Sequence, residues 1–173
     1  MKVDLVAGVT PVPLGSVDAT AAELTRLITE CRGGEPDLGV PVAAREAAEI
    51  VHRASAGLVA VVRQPKADPA LLVGVLAATA APLVELPVES DPDIRETVEG
   101  RTPLGYPVVF AERVVSAERL KAGEPFDCQL QAVVSDPDRA RLAVFTLSST
   151  TGRGWLAVSA VFGRLVASTD FRD

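Results

Sequence analysis

The spacing of apolar residues changes along the chain, and each change marks a change of predicted element. Val17, Ala21, Leu24, Leu27, Ile28 and Cys31 recur at three- and four-residue steps, with Glu23, Arg26 and Glu30 between them. A helix gathers such positions on one side, so this spacing predicts an amphipathic helix. Ser16 and Asp18 offer oxygens to its first N–H groups, and Gly33-Gly34 ends it. A second helix is predicted from Pro41, whose fixed φ suits a first helical turn. It carries Ala43, Ala47, Ile50, Val51 and Ala54 on one side and stops at Gly57. A Gly- and Pro-containing loop joins the two as a helical pair.

From Leu58 the period shortens. Leu58-Val59-Ala60-Val61-Val62-Arg63 is a β-branched run, Pro65-Lys66-Ala67-Asp68-Pro69 is a turn, and residues 70–81 are again apolar, which predicts a β-hairpin. The uncharged stretch from Ala70 to Val84 would reach only about 22 Å as a helix, against a bilayer core about 30 Å thick. Gly74, Thr79 and Pro82 within it suit a buried strand with a bend or bulge. Residues 85–104 hold Glu85, Glu89, Asp91, Asp93, Glu96 and Glu99 among prolines, and read as an acidic linker with one helical turn at Ile94 to Val98. Further strands are predicted at Lys2 to Val6, Tyr106 to Val115, Cys128 to Ser135 and Arg141 to Ser148. Asp136-Pro137-Asp138-Arg139 turns the last pair. After Thr150-Thr151-Gly152, the set Trp155, Val158, Phe162, Leu165 and Val166 predicts a C-terminal helix lying across the sheet.

The expected fold class is therefore α+β: a mostly antiparallel sheet of about five or six strands, packed with an N-terminal helix pair and a C-terminal helix. With 173 residues, 48% of them hydrophobic, the chain is long enough for a core without metal or disulfide staples. One domain is the simplest partition, with the first strand and helix pair in residues 1–56 and the sheet and last helix in residues 57–169.

Charge and chemistry narrow the function classes. A net charge of −6, with 23 acidic against 17 basic side chains and no basic run, disfavours nucleic acid and anionic membrane as partners. Five Phe, one Tyr and one Trp leave little material for stacking bases. Asp4 and the prolines at 11 and 13 interrupt any signal-peptide core at the start, so the expected compartment is the cytoplasm. Cys31 and Cys128, far apart in sequence, are expected to be small buried hydrophobes rather than halves of a bridge.

The entire histidine supply is His52, on the second predicted helix, and it reads as a structural residue. Cys31, His52 and Cys128 lie on separate elements without ligand spacing, so no metal and no cofactor is expected. Thr150-Thr151-Gly152-Arg153-Gly154 has the glycines and arginine for an anion but lacks a P-loop pattern, and capping is the simpler reading. The acidic run Glu85 to Glu99 lacks a calcium ladder, and Ser148-Ser149-Thr150-Thr151 lacks a nucleophile elbow. Carboxylate catalysis through Glu112 or Asp127 would need paired acids with perturbed titration in a cleft. No catalytic residue is assigned, and the expected function is a non-enzymatic protein-binding or assembly module, with a second copy as one form of partner. The alternative is a small apolar ligand in a cavity between sheet and helices, where Gly74, Ala77, Ala78 and Ala80 withhold bulk.

Several segments also resemble actinobacterial proteins distantly similar to the superfamily of the photosystem PsbP subunit and the mycobacterial LpqN lipoproteins. They are Leu58 to Val61, Leu71 to Leu83, Gly105 to Val109, and Leu130 to Ser148 followed by a Trp- and Phe-bearing helix. The resemblance covers about residues 57–169 and is one of pattern. It implies an antiparallel sheet sandwiched by helices and a role as a binding or assembly accessory, with no catalytic motif to carry over. Unlike LpqN-like lipoproteins, this sequence begins with no lipidated cysteine.

Overall fold

A computed structural model describes residues 1–35, 37–78, 94–115, 117–123, 127–136, 138 and 140–172. The elements in chain order are β1 (Val9–Pro11), α1 (Val17–Cys31), α2 (Gly39–Arg53), β2 (Leu58–Val62), β3 (Ala70–Ala78), β4 (Ile94–Arg101), β5 (Pro107–Val114), α3 (Ala117–Lys121), β6 (Cys128–Asp136), β7 (Arg141–Ser149) and α4 (Trp155–Ala167). The strands form one seven-stranded sheet in the order β1-β2-β3-β7-β6-β5-β4, antiparallel throughout. After β3 the chain reappears at the far edge as β4 and returns strand by strand. β7 then closes the sheet against β3, from Leu71↔Ser148 to Ala78↔Arg141. The α+β architecture read from the sequence is thus present, with one strand more than the upper expectation.

Helices cover opposite faces of this sheet. On one face Val158, Val161, Phe162, Leu165 and Val166 of α4 are buried against Ala60, Leu72, Ala132, Ala143, Phe145 and Leu147. On the other, Leu24 and Leu27 of α1 and Ala44 and Val51 of α2 pack on Val12, Val59 and Val61. Because β2 feeds both cores, it is an unbroken apolar run rather than an alternating one. Ser16 Oγ caps α1 by accepting from Ala19 N–H at 3.2 Å, in the role its sequence position suggested.

Four expectations need correction. The first strand is Val9–Pro11, and of the stretch Lys2 to Val6 only Lys2 bridges, to Asp170. Pro11 is tolerated because β1 is an edge strand. Second, Ile94 to Val98 is no helical turn but part of β4, paired with β5 from Ile94↔Arg113 to Arg101↔Pro107. Residues 95–100 are all exposed, so their polarity carries no periodic signal, and the charges suit an unprotected edge. Third, α2 starts at Gly39, and its buried side is Val40, Ala44, Ala48 and Val51, one position round from the expected one. Ile50 is 60% exposed. Alanines occupy both the expected side (Ala43, Ala47) and the observed one (Ala44, Ala48), so docking against α1 and β2 selects which of the two faces inward. Fourth, the short α3 was not foreseen at all. Glu85, Glu89, Asp91, Asp93 and Ala80 lie outside the described residues. Among the described residues no helix is long and apolar enough to cross a membrane.

Candidate functional site

Small side chains on α2 leave a gap where the helix pair meets the sheet. A cleft of about 360 Å3 opens there between Leu24 and Ile28 of α1, Val40, Ala43, Ala44 and Ala47 of α2, and Val61, Ala70 and Leu71 of the sheet. Leu24 is fully buried, and Val40, Ala44 and Val61 are at most 4% exposed, so the floor is dry and shared with the core. The polar rim consists of Arg32, Asp37, Ser148, Ser149 and Thr150. Arg32 Nη1 donates to Asp37 Oδ2 at 2.7 Å across one end, and Asp37 Oδ1 also accepts from Gly39 N–H at 2.8 Å. The volume lies in the range of about 300–1,000 Å3 typical of small-molecule pockets, and equals the bulk of about a dozen waters.

Beyond Arg32 a second, open cleft of about 510 Å3 is lined by Cys31, Arg32, Lys66, Ala67, Asp68 and Arg153. The turn between β2 and β3 and the loop before α4 are stitched together here. Asp68 N–H donates to the Arg153 carbonyl at 3.1 Å, and Thr151 Oγ1 donates to Asp68 Oδ2 at 2.8 Å. Gly154 takes a φ of 74° and lies so close to Ala67 that any side chain would collide with it. Of Thr150 to Gly154, the hydroxyls therefore do turn work. Thr151 Oγ1 also accepts from Arg153 N–H, and Ser149 Oγ accepts from Gly152 N–H at 3.1 Å. Arg153 faces the second cleft and Thr150 the first. Ser148 and Ser149 meet no histidine, the one imidazole lying on α2 with Thr20.

Gly74 does not withhold bulk for a ligand. A Cβ there would meet the Phe145 ring at 3.2 Å and Leu58 Cβ at 3.1 Å, so the missing side chain makes room for Phe145. Ala77 is half-buried and Ala78 exposed, on the sheet away from both clefts.

Residues weighed for chemistry have structural partners. The fully buried Thr20 donates its hydroxyl to the Pro13 carbonyl at 3.0 Å, which leaves it to accept from His52 Nε2–H, also at 3.0 Å. His52 thereby ties α2 to α1. Glu112 accepts from the Trp155 indole N–H at 2.6 Å. Beside it, burial first, then Asp127 and Glu112, push the Cys128 thiol up to about 11, so it stays protonated at neutral pH and donates to the Ser149 carbonyl. Burial also raises the Asp127 carboxyl. That is one perturbed acid beside a second already engaged with Trp155, without the paired geometry that acid–base work needs. Cys31, half-buried, and Cys128, buried, are both free thiols. Among the described residues no cluster of three or more His, Cys, Asp or Glu is gathered around one point.

Comparison with family models finds no match to this chain, and comparison with curated proteins finds none either. The two clefts are therefore read from their own chemistry. Sequence reasoning named Ala43 and Ala47 as a helix side and Lys66 as a turn residue, but missed that these elements converge. Pro65-Lys66 was the available signal, since it places a cation where a turn prefers glycine.

Proposed function

We propose that this chain is a non-enzymatic binding protein that takes a small apolar ligand between its helix pair and its sheet. The observation that carries this reading is the cleft of about 360 Å3, with a buried apolar floor of Leu24, Val40, Ala44 and Val61 and a rim that includes Arg32, Asp37 and the Ser148–Thr150 segment. Burying an apolar chain there gains about 25 cal/mol per Å2, and the pre-formed floor spares the cost of ordering. The pattern-level likeness to the PsbP and LpqN superfamily fits a binding accessory.

A second reading, a docking module for another protein or a second copy, draws on the outer side of α2. Leu38 is 92% exposed there, and Val42 and Ile50 are each 60% exposed.

Native mass spectrometry of the intact chain with straight-chain alcohols of graded length tests the first reading. One added molecule per chain is expected, lost in Ala43→Phe, which fills the cleft from an exposed position on α2 without disturbing the core. Equal uptake by Ala43→Phe, or no uptake by the natural chain, overturns it.

A further inference from the structure

Resting on that reading, we infer that the ligand is an anionic amphiphile: an apolar chain ending in a carboxylate or phosphate, with the chain in the first cleft and the head among Arg32, Lys66 and Arg153. The two clefts share Arg32, so a molecule lying in the apolar one and extending past Arg32 enters the cleft that Lys66 and Arg153 also line. In a chain whose net charge is −6, three cationic side chains around one opening are a local reversal of sign. Two acids oppose them. Asp37 is paired with Arg32, and Asp68 lies 3.7 Å from Arg153 while accepting from Thr151, which leaves the group one positive charge in excess. Arg32, Asp37 and Arg153 are exposed and Asp68 is half-buried, and pairs this open to water hold weakly enough for a ligand oxygen to share the guanidinium donors.

Lys66 singles this site out. Pro65 and Lys66 form the centre of a tight turn closed by Ala67 N–H on the Gln64 carbonyl at 3.2 Å, and Lys66 sits at a φ of 64°. Glycine or asparagine is the residue that such a position favours, so lysine there strains the backbone. It gains no ion pair or hydrogen bond in return among the described residues. A strained, unpartnered cation at the mouth of a cationic cleft is explained by what it meets when a ligand is present.

Titration calorimetry on the full chain separates the possibilities with four ten-carbon probes sharing one tail: a carboxylate, a phosphate monoester, a primary alcohol and a trimethylammonium. The two anions are expected to bind at least tenfold more tightly than the alcohol, and the trimethylammonium most weakly. Lys66→Gly is expected to weaken both anions three- to tenfold and leave the alcohol unchanged, while its Tm stays equal or rises because the turn is relieved. A purely structural lysine would show the Tm change alone. Preference for one anion over the other identifies the headgroup. If the alcohol binds as tightly as the anions and is lost in Ala43→Phe, the headgroup inference falls and the apolar cleft stands. Anions that bind Ala43→Phe undiminished would leave the cations as an isolated site and overturn the amphiphile. Failure of all four probes would overturn both readings.

Discussion

Gly74 and Phe145 should behave as one packing unit, and a double-mutant cycle measures it. Phe145 is fully buried, cross-strand from Gly74, and its ring occupies the volume that a side chain at 74 would take. Phe145→Ala alone should cost about 3–5 kcal/mol, towards the upper end because glycine opposite offers nothing that can move into the void. Gly74→Ala alone places a methyl 3.1 Å from Leu58 Cβ and 3.2 Å from the ring, both held by the core. Overpacking of that kind costs about 1–3 kcal/mol. With Ala at 145 the ring contact disappears and only the Leu58 contact remains, set against the usual strand advantage of Ala over Gly of about 0.5–1 kcal/mol. The second substitution should then be close to neutral, giving a coupling of about 1 kcal/mol or more. Urea unfolding of the four proteins, followed by circular dichroism with a common m-value, reads these differences. Additivity within about 0.5 kcal/mol would refute the packing argument.

Other substitutions probe the rest of the molecule. Arg141 holds the 4%-exposed Asp136 at 2.7 Å and also donates to the Phe171 carbonyl, so Arg141→Ala strands a buried carboxylate. The expected loss is about 3–5 kcal/mol by urea unfolding, and a loss under about 1 kcal/mol would contradict the buried pair. Thr20→Val removes the bond to His52 and leaves the Pro13 carbonyl short of a donor, for an expected loss of about 1–3 kcal/mol on the same assay. The raised Cys128 thiol makes the folded state hold its proton above the unfolded value of about 8.5. Its contribution is complete below that pH and is lost as pH rises through about 11, a slope of about 1.4 kcal/mol per pH unit in between. Cys128→Ala should unfold with a correspondingly shallower alkaline decline; parallel curves would show that the thiol is unperturbed. At pH 7.5 a thiol reagent should label Cys31 alone until denaturant is added, since Cys128 is 2% exposed.

Where an element buries one clear side, the sequence displayed it: α1 and α4 were legible from Leu24, Leu27, Phe162 and Leu165, and the β2–β3 hairpin from its β-branched runs. Elements that owe their existence to backbone pairing were not. β4 is held by its ladder to β5, and its exposed side chains follow solubility rather than period. The inner side of α2 was ambiguous because alanine is apolar yet small enough to point anywhere. The same ambiguity hid the site. Ala43 and Ala47 form a cleft only because α2 is docked over Val61 and Leu71, and Lys66, Arg32 and Arg153 meet only because Asp68 bonds to the loop before α4. Small residues at 74 and 77 suggested room in the wrong place, since Gly74 is matched to Phe145 across the strands.

Methyl NMR of the folded chain titrated with the ten-carbon carboxylate tests the cleft most directly. Binding in the cleft predicts shifts concentrated on the methyls of Leu24, Ile28, Val40, Val61 and Leu71, with those of Val42 and Ile50 unmoved. Shifts centred on Val42 and Ile50 instead, or none at any methyl, would contradict it.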